Sequence, residues 1–325
     1  MNDPLVTILS PCYNVGKFLP KYFETVLGQT YHNLQVVLID DGSKDDTWAV
    51  MQEYASRDSR VEIYQQENQG VAATRNNLLD KVKGDYVLFV DSDDWIELDM
   101  VEYLVEVALE HNSKFVMCDR VINDVKPKEG VPEIRILSQE QAVHDFLRHE
   151  YFVGSLWNKL LASSLLHNER FHCGISYGED ALFCWGVLQK VDKVVVTDRQ
   201  LYHYYMNDES ISHQSFGEKK LTGHETWRLL TEDVKRKWPQ FTELVFGTFA
   251  RSDVYLLQAA SQGGYPYNDS IRMLQQNVRK HYKYLKPLYV NDSKGLIYAS
   301  IIMWWYGFGK VYYMLYKIKS VSHAF

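Results

Sequence analysis

Short continuous apolar runs alternate with stretches of helical spacing through the first two-thirds of the chain. Leu5 to Ser10 reads as a strand that breaks at Pro11-Cys12-Tyr13-Asn14, where Pro, Asn and the nearby Gly16 mark a turn. Phe18, Leu19, Tyr22, Phe23, Val26 and Leu27 then recur on one helical face. Leu34 to Ile39 is a second strand, ending in Asp40-Asp41-Gly42-Ser43, and a helix follows with Ser43 or Asp45 as its cap. Val61 to Tyr64 is a third strand; Asn68-Gln69-Gly70 turns the chain into a helix over about 71–82. The next run, Tyr86 to Val90, is almost wholly apolar, the pattern of a strand buried on both faces. This alternation predicts an α/β fold, a largely parallel sheet flanked by helices. Polar strand ends should converge on one rim: Pro11 and Tyr13, Asp41, Asn68 and Arg75, Asp91 and Asp93.

The pattern continues with a helix over about 98–111 and a strand over 115–118. The charged stretch 119–137, with its Pro and Gly, reads as a surface loop or hairpin. Ser138-Gln139-Glu140-Gln141 fits a capping box opening a helix to about Glu150. Leu156-Trp157-Asn158-Lys159-Leu160 mixes aromatic and polar groups and fits neither period. Gly178-Glu179-Asp180 precedes an apolar helical run, and 194–197 and 201–205 read as two short strands. From about Phe216 the spacing is helical. The chain therefore divides into an α/β part over 1–215 and a helical C-terminal region over 216–325.

A composition of 46% hydrophobic and 24% charged residues is that of a globular protein and excludes a disordered chain. Met1-Asn2-Asp3-Pro4 leads directly toward a strand, so no secretory leader is expected. Cys12, Cys118, Cys173 and Cys184 lack metal-site spacing and read as buried free thiols. The formal charge of −7 conceals an asymmetry. Residues 217–325 carry 16 Lys and Arg against 8 Asp and Glu, a formal +8, which leaves −15 to residues 1–216. Such a split suggests an acidic catalytic part and a basic region facing something anionic.

The central strand runs straight into Asp91-Ser92-Asp93-Asp94. Three carboxylates this close raise one another's pKa unless a cation sits among them. A hard divalent ion bridging substrate phosphates is one resident for such a loop, and the other reading is an acidic helix-capping loop. No G-x-G-x-x-G follows the first strand and no Walker A lysine motif occurs, which argues against dinucleotide-binding and P-loop proteins.

Pro11-x-Tyr13-Asn14, Gln29-Thr30-Tyr31, Asp40-Asp41-Gly42-Ser43-x-Asp45, Asn68-x-Gly70, Arg75-Asn76, Gly84-Asp85-Tyr86 and Asp91-Ser92-Asp93-Asp94 occur in order. In this ordered set the chain resembles the bacterial family-2 inverting glycosyltransferases of the GT-A fold, over about Leu5 to Ser212. The resemblance implies a nucleotide-sugar-binding part over about 1–95 and an acceptor-binding part over about 96–215. By the same resemblance Pro11, Tyr13, Asn14, Asp41, Asn68, Arg75, Asp91 and Ser92 would bind the donor, Tyr13 and Pro11 lying against a uracil-type base. Asp91 and Asp93 would hold Mn2+ or Mg2+, with Asp94 in support. Asp180 would be the general base, and Trp157 and Glu179 would meet the acceptor. Many relatives carry Arg where this chain has Tyr205, which puts in doubt any arginine contact to diphosphate from this segment. His203 reads as a structural histidine, its other reading being an approach to the metal.

The implied activity is inverting, metal-dependent transfer from a UDP-sugar to a glycan or lipid-linked acceptor in cell-surface polysaccharide synthesis. The alternative is a non-catalytic nucleotide-sugar-binding or scaffold protein of the same fold. No nucleic acid partner is expected. The segment 295–319 has an uncharged aromatic run too short to span a bilayer, followed by lysines. It would either lie in a membrane interface or form a helix buried on the catalytic domain or in a homo-oligomer. The expected location is cytoplasmic, peripheral at the inner face of the plasma membrane if the tail engages lipid.

Overall fold

A computed structural model describes residues 3–123, 125–128, 130–149, 154–206, 216–289 and 293–307. The sheet is built outward from β1 (Val6–Cys12), which pairs in parallel with β2 (Leu34–Asp40) and with β4 (Tyr86–Phe89). β2 is buried at every position because it lies inside the sheet, paired on its other edge with β3 (Val61–Gln65). Three helices connect these strands: α1 (Leu19–Leu27), α2 (Thr47–Arg57) and α3 (Val71–Leu79). α1 buries Leu19, Tyr22, Phe23 and Val26, the stripe its spacing predicts.

The start of β4 is locked to that of β1 by backbone approach. Gly84 N donates to Thr7 Oγ1 at 2.9 Å, and Leu5 N donates to Asp85 Oδ2 at 2.9 Å. A Cβ on Gly84 would lie 2.6 Å from the Leu5 carbonyl oxygen, so only glycine allows this contact.

Beyond β4 the sheet becomes mixed. β8 (Lys159–Ala162) is antiparallel to both β4 and β6 (Phe115–Ile122). β9 (Lys193–Tyr204) runs parallel to β6, and its far edge is shared by β7 (Ile134–Ser138) and β5 (Trp95–Ile96). The strand order is β3-β2-β1-β4-β8-β6-β9-β5, with β7 on the first half of β9. α4 (Met100–Glu110), α5 (Gln139–Arg148) and α6 (Glu179–Leu188) complete this part. The capping box forms: Ser138 N donates to Gln141 Oε1 at 2.9 Å, and Gln141 N donates to Ser138 Oγ at 3.3 Å.

Several strands differ from the sequence expectation. The stretch 119–137 is not all loop, since β6 continues to Ile122 and β7 occupies 134–138. The two short strands near 194 and 201 are one strand of 12 residues. β8 escapes the periodicity because it buries Lys159 completely, with Nζ donating to Asn158 Oδ1 at 2.7 Å and to the Ser155 carbonyl. β5 is too short to leave a pattern. Cys12, Cys118 and Cys184 are buried, whereas Cys173 is exposed, its Sγ 3.5 Å from Asn76 Nδ2.

The described residues fall into two compact units, one within 1–146, 150–173 and 179–207, the other within 147–149, 174–178 and 208–325. The second contains α7 (Glu218–Lys237), α8 (Thr242–Gln262), α9 (Asp269–Leu285) and α10 (Ser293–Ile302). Its core includes Val254, Leu257, Leu274, Val278 and Ile302. A buried polar chain crosses three of its helices: His224 Nδ1 lies 2.9 Å from Asp253 Oδ2, which accepts from Asn277 Nδ2 at 2.7 Å, and Asn277 Oδ1 lies 2.8 Å from His281 Nδ1. Among the described residues no helix is long and apolar enough to cross a membrane. Residues 308–319 of the aromatic, lysine-flanked segment lie outside the described residues, as do residues 207–212 of the segment that begins at Leu201.

Candidate active site

The parallel strands end together, and their loops are tied to one another before any ligand is considered. Asn14, in the left-handed region at φ 53°, accepts from Lys44 N at 2.8 Å, while its own N–H donates to Ser43 Oγ at 2.9 Å. Val15 N donates to Thr47 Oγ1 at 2.8 Å and Gly16 N to Asp45 Oδ2 at 3.0 Å. Asn14 is therefore a clamp between the loops after β1 and β2. Tyr13, beside it, is 49% exposed on the rim.

Asp41 is buried and organises the loop after β3. Its Oδ1 accepts from Gln69 N and Gln66 Nε2, each at 2.8 Å, and its Oδ2 accepts from Gly70 N at 2.8 Å. Three of about four acceptor positions are thus filled, leaving one on Oδ2. Asn68, exposed, donates from Nδ2 to the Asp41 carbonyl at 2.9 Å. Asp40 is committed as well, accepting from Ser43 N at 3.0 Å and Gln65 Nε2 at 2.8 Å.

The acidic loop leaves β4 directly. Ser92 is buried and its Oγ donates to the Pro11 carbonyl at 2.7 Å, fastening this loop to the end of β1. Burial first, and then the Asp91 carboxylate, push the Asp93 carboxyl up to about 6. Asp94 is raised well above the usual carboxylate range by burial and by both neighbours. It accepts from Tyr202 Oη at 2.6 Å and from Tyr205 N at 2.7 Å.

Arg75, on α3, connects this loop to α6. Its Nη1 donates to Glu179 Oε1 at 2.8 Å, and its Nη2 lies 3.4 Å from Asp91 Oδ1. Its Nε is buried with no partner among the described residues. The guanidinium rests 5.6 Å from the Phe171 ring, which stacks on Phe183 of α6 at 4.1 Å. Asp180 lies at the first turn of α6 and accepts from Ala181 N at 2.8 Å. Burial and the Glu179 charge raise its carboxyl to about 7, against the opposing pull of Arg75.

Trp157 lies in the core instead of presenting a face for stacking. It is 9% exposed, stacked on Tyr202 at 4.6 Å, with the Arg120 guanidinium 5.5 Å from its ring. His203 is structural: it bonds Glu97 Oε1 at 2.6 Å and stacks on Trp95. Tyr205 packs between Phe18 and Trp95. Hydrogen bonds thus join Ser92 to Pro11, Asn68 to Asp41, and Arg75 to both Asp91 and Glu179, while Asp93 and Asp180 are placed by the chain beside Asp91 and Glu179. Nothing in the spacing singles out Tyr202; its place in an aromatic segment is the only signal it leaves.

Whether the loop suits a metal is decided by its donor set. Among the described residues no group of three His, Cys, Asp or Glu is arranged around one point. Asp91 and Asp93 offer two hard oxygen donors whose mutual repulsion a cation would relieve, and Mg2+-type ions commonly take one or two carboxylates and draw the rest from substrate phosphates and water. The residues fit that kind of site.

The sequence model of the family described as "Glycosyl transferase family 2" matches residues 7–192. "Glycosyltransferase GlyA" of Streptococcus pneumoniae is 32% identical over 223 residues, which are 65% of this chain and 32% of that protein. The chain thus matches about a third of that relative's length. Among solved structures, Staphylococcus aureus TarS residues 1–349 in complex with UDP-GlcNAc superposes with a TM-score of 0.59 at 17% identity, covering 90% of this chain and 92% of that one. A mannosyltransferase from Pyrobaculum calidifontis, in complex with GDP-Man and Mn2+, gives 0.57 at 14% identity, covering 94% and 88%. At these identities the superpositions speak for the fold, GT-A.

Proposed function

The chain belongs to glycosyl transferase family 2, and from that premise we propose that it transfers a sugar from a UDP-sugar to a hydroxyl of a glycan or lipid-linked acceptor, inverting the anomeric carbon. The observation that carries this reading is the bridge Asp91–Arg75–Glu179, which ties the acidic loop at the end of β4 to the helix that carries Asp180. A diphosphate leaving group and a base are needed on opposite sides of one carbon, and this bridge joins the groups suited to each.

In the proposed donor site Tyr13 lies against the uracil, with Pro11 behind it and Asn14 and Ser92 holding the loops. Asp41 retains one acceptor position for the ring N–H, and Asn68 and Arg75 line the pocket. Arg75 Nε keeps a donor for phosphate. Asp91 and Asp93 would hold Mn2+ or Mg2+; when bound, such an ion neutralises the charge that develops on the departing diphosphate. Asp180 accepts the proton of the acceptor hydroxyl as its oxygen bonds to the anomeric carbon and the bond to the UDP oxygen breaks. With one base and no covalent intermediate, the incoming oxygen enters opposite the leaving group and the configuration inverts. Glu179 orients the acceptor side through Arg75.

Two further parts of the reading concern the whole chain. Residues 96–215 serve the acceptor and 216–325 serve attachment. We place the protein on an anionic membrane face, where it would serve cell-surface polysaccharide synthesis. Trp304 and Trp305 are 59% and 67% exposed, and the Arg279 guanidinium lies 4.5 Å from the Trp304 ring. Exposed tryptophans among cations are suited to a headgroup layer.

UDP release from a panel of UDP-sugars tests the reaction. At least one sugar should be turned over, and excess chelator or Asp93→Ala should nearly abolish turnover. Full activity in chelator would remove the metal from the reading; UDP binding without turnover of any sugar would make the chain a binding protein.

A further inference from the structure

The hydroxyl of Tyr202 makes two hydrogen bonds, both to the acidic loop. It accepts from Asp91 N at 3.1 Å and donates to Asp94 Oδ2 at 2.6 Å. The ring is fully buried in β9 and is backed by the Trp157 indole, so the hydroxyl has no freedom to follow the loop if the loop moves. The other oxygen of Asp94 is held by Tyr205 N at 2.7 Å, three residues further along the chain. One hydroxyl from β9 and one amide from the residue just past its end therefore grip the loop 91–94 at its first and last residues. Backbone pairing of Ile96 with Tyr202 continues the grip into β5.

We propose that Tyr202 is a positioning residue: its hydroxyl holds Asp91 and, through Asp94, Asp93 in the arrangement that accepts a divalent cation. The inference rests on the metal reading given above and adds what that reading lacks, a cause for the loop's shape. Two donors next to a metal site cannot choose their own geometry when they sit on an irregular turn. Groups behind metal ligands that hydrogen-bond and orient them typically change metal affinity by about 10- to 100-fold when removed.

The direction of the hydrogen bonds makes a second, less disruptive variant informative. Asp94 can accept from both Tyr202 and Tyr205. In Asp94→Asn the amide keeps the shape and the Oδ1 bond to Tyr205 N. Its NH2 then faces the Tyr202 oxygen, which would have to accept from it and from Asp91 N at once, while the hydroxyl proton has no acceptor. The clamp fails although Asp94 is not itself among the proposed ligands.

The test is a titration of free Mn2+ by electron paramagnetic resonance, with UDP present, beside thermal unfolding of each variant. Tyr202→Phe and Asp94→Asn should each weaken Mn2+ binding by about 10- to 100-fold. Tyr103→Phe is the control: it removes a tyrosine hydroxyl 3.1 Å from Thr197 Oγ1 of the same strand, away from the loop, and should leave Mn2+ affinity unchanged. If Tyr202→Phe does not fold, Asp94→Asn alone decides. Wild-type Mn2+ binding with equal affinity in the folded variants overturns the positioning role and leaves the metal reading standing. Absence of Mn2+ binding by the wild type overturns the metal reading and this inference with it.

Discussion

Asp180 is held where a carboxyl gives up its proton reluctantly. Burial and Glu179 raise it to about 7, while Arg75 works in the opposite direction. A base must be ionised to act, so the active form is lost as the pH falls through about 7, and kcat/KM should fall with it. Arg75→Gln removes the opposing cation and should move that limb to higher pH. A profile flat between about pH 6 and 8 would show that no group governing turnover, Asp180 included, titrates in that range. Asp180→Asn should leave UDP affinity intact and lower turnover by ~10²–10⁴-fold; near-normal turnover would take Asp180 out of the mechanism. Asp41 is bound to the structure more tightly than a base-reading residue need be. Asp41→Ala strips the acceptor from Gln69 N and Gly70 N and should lower stability to denaturant by about 1–3 kcal/mol as well as weaken UDP binding. Calorimetry and a denaturation curve both unchanged would contradict both roles.

At the scale of elements, the site depends on how β4 is set against β1. The Gly84-Asp85-Tyr86 motif contributes no ligand; it docks the start of the strand whose end carries the acidic loop. A methyl at Gly84 would meet backbone atoms of Leu5 and Thr7, at 2.6 and 2.8 Å, which cannot move without shifting β1. Gly84→Ala should therefore cost about 1–3 kcal/mol, read from chemical denaturation. Unchanged stability would mean that β4 can slide without consequence. β9 has a comparable influence at the other side of the loop. Its first half pairs with β7 and its second with β5, so a strand that begins as scaffold ends as the support of the acidic turn.

Over the whole molecule, charge divides along the chain. Residues 1–216 carry a formal −15 and residues 217–325 a formal +8. The acidic part would be repelled by an anionic bilayer and the basic part drawn to it. The full chain should bind vesicles containing anionic lipid, less so as salt is raised. The double variant Trp304→Ala, Trp305→Ala should bind them more weakly at unchanged UDP affinity, measured by co-sedimentation and calorimetry. Failure of the wild type to bind such vesicles, together with self-association in sedimentation, would make the exposed tryptophans an interface between copies.

The amino-acid sequence by itself determined what depends on neighbours along the chain. Hydrophobic runs and helical spacing marked β1 to β4 and α1 to α4, and a carboxylate cluster just past an apolar run marked a candidate site at a strand end. The capping box at Ser138 was legible for the same reason, since both partners lie within four residues. Only the tertiary structure decided what depends on contacts across the fold. Arg75 meets Glu179 over 104 positions and Tyr202 meets Asp94 over 108, and no periodicity carries such a pairing. Lys159 hid β8 because a buried cation satisfied by Asn158 and the Ser155 carbonyl looks, in sequence, like a surface residue. Trp157 reads in sequence as a sugar platform, but in the fold its ring is buried and stacked on Tyr202. Local patterns are set by the repeat of the backbone. The partners of a buried polar group are set by which strands the sheet brings side by side, a choice made by the whole chain.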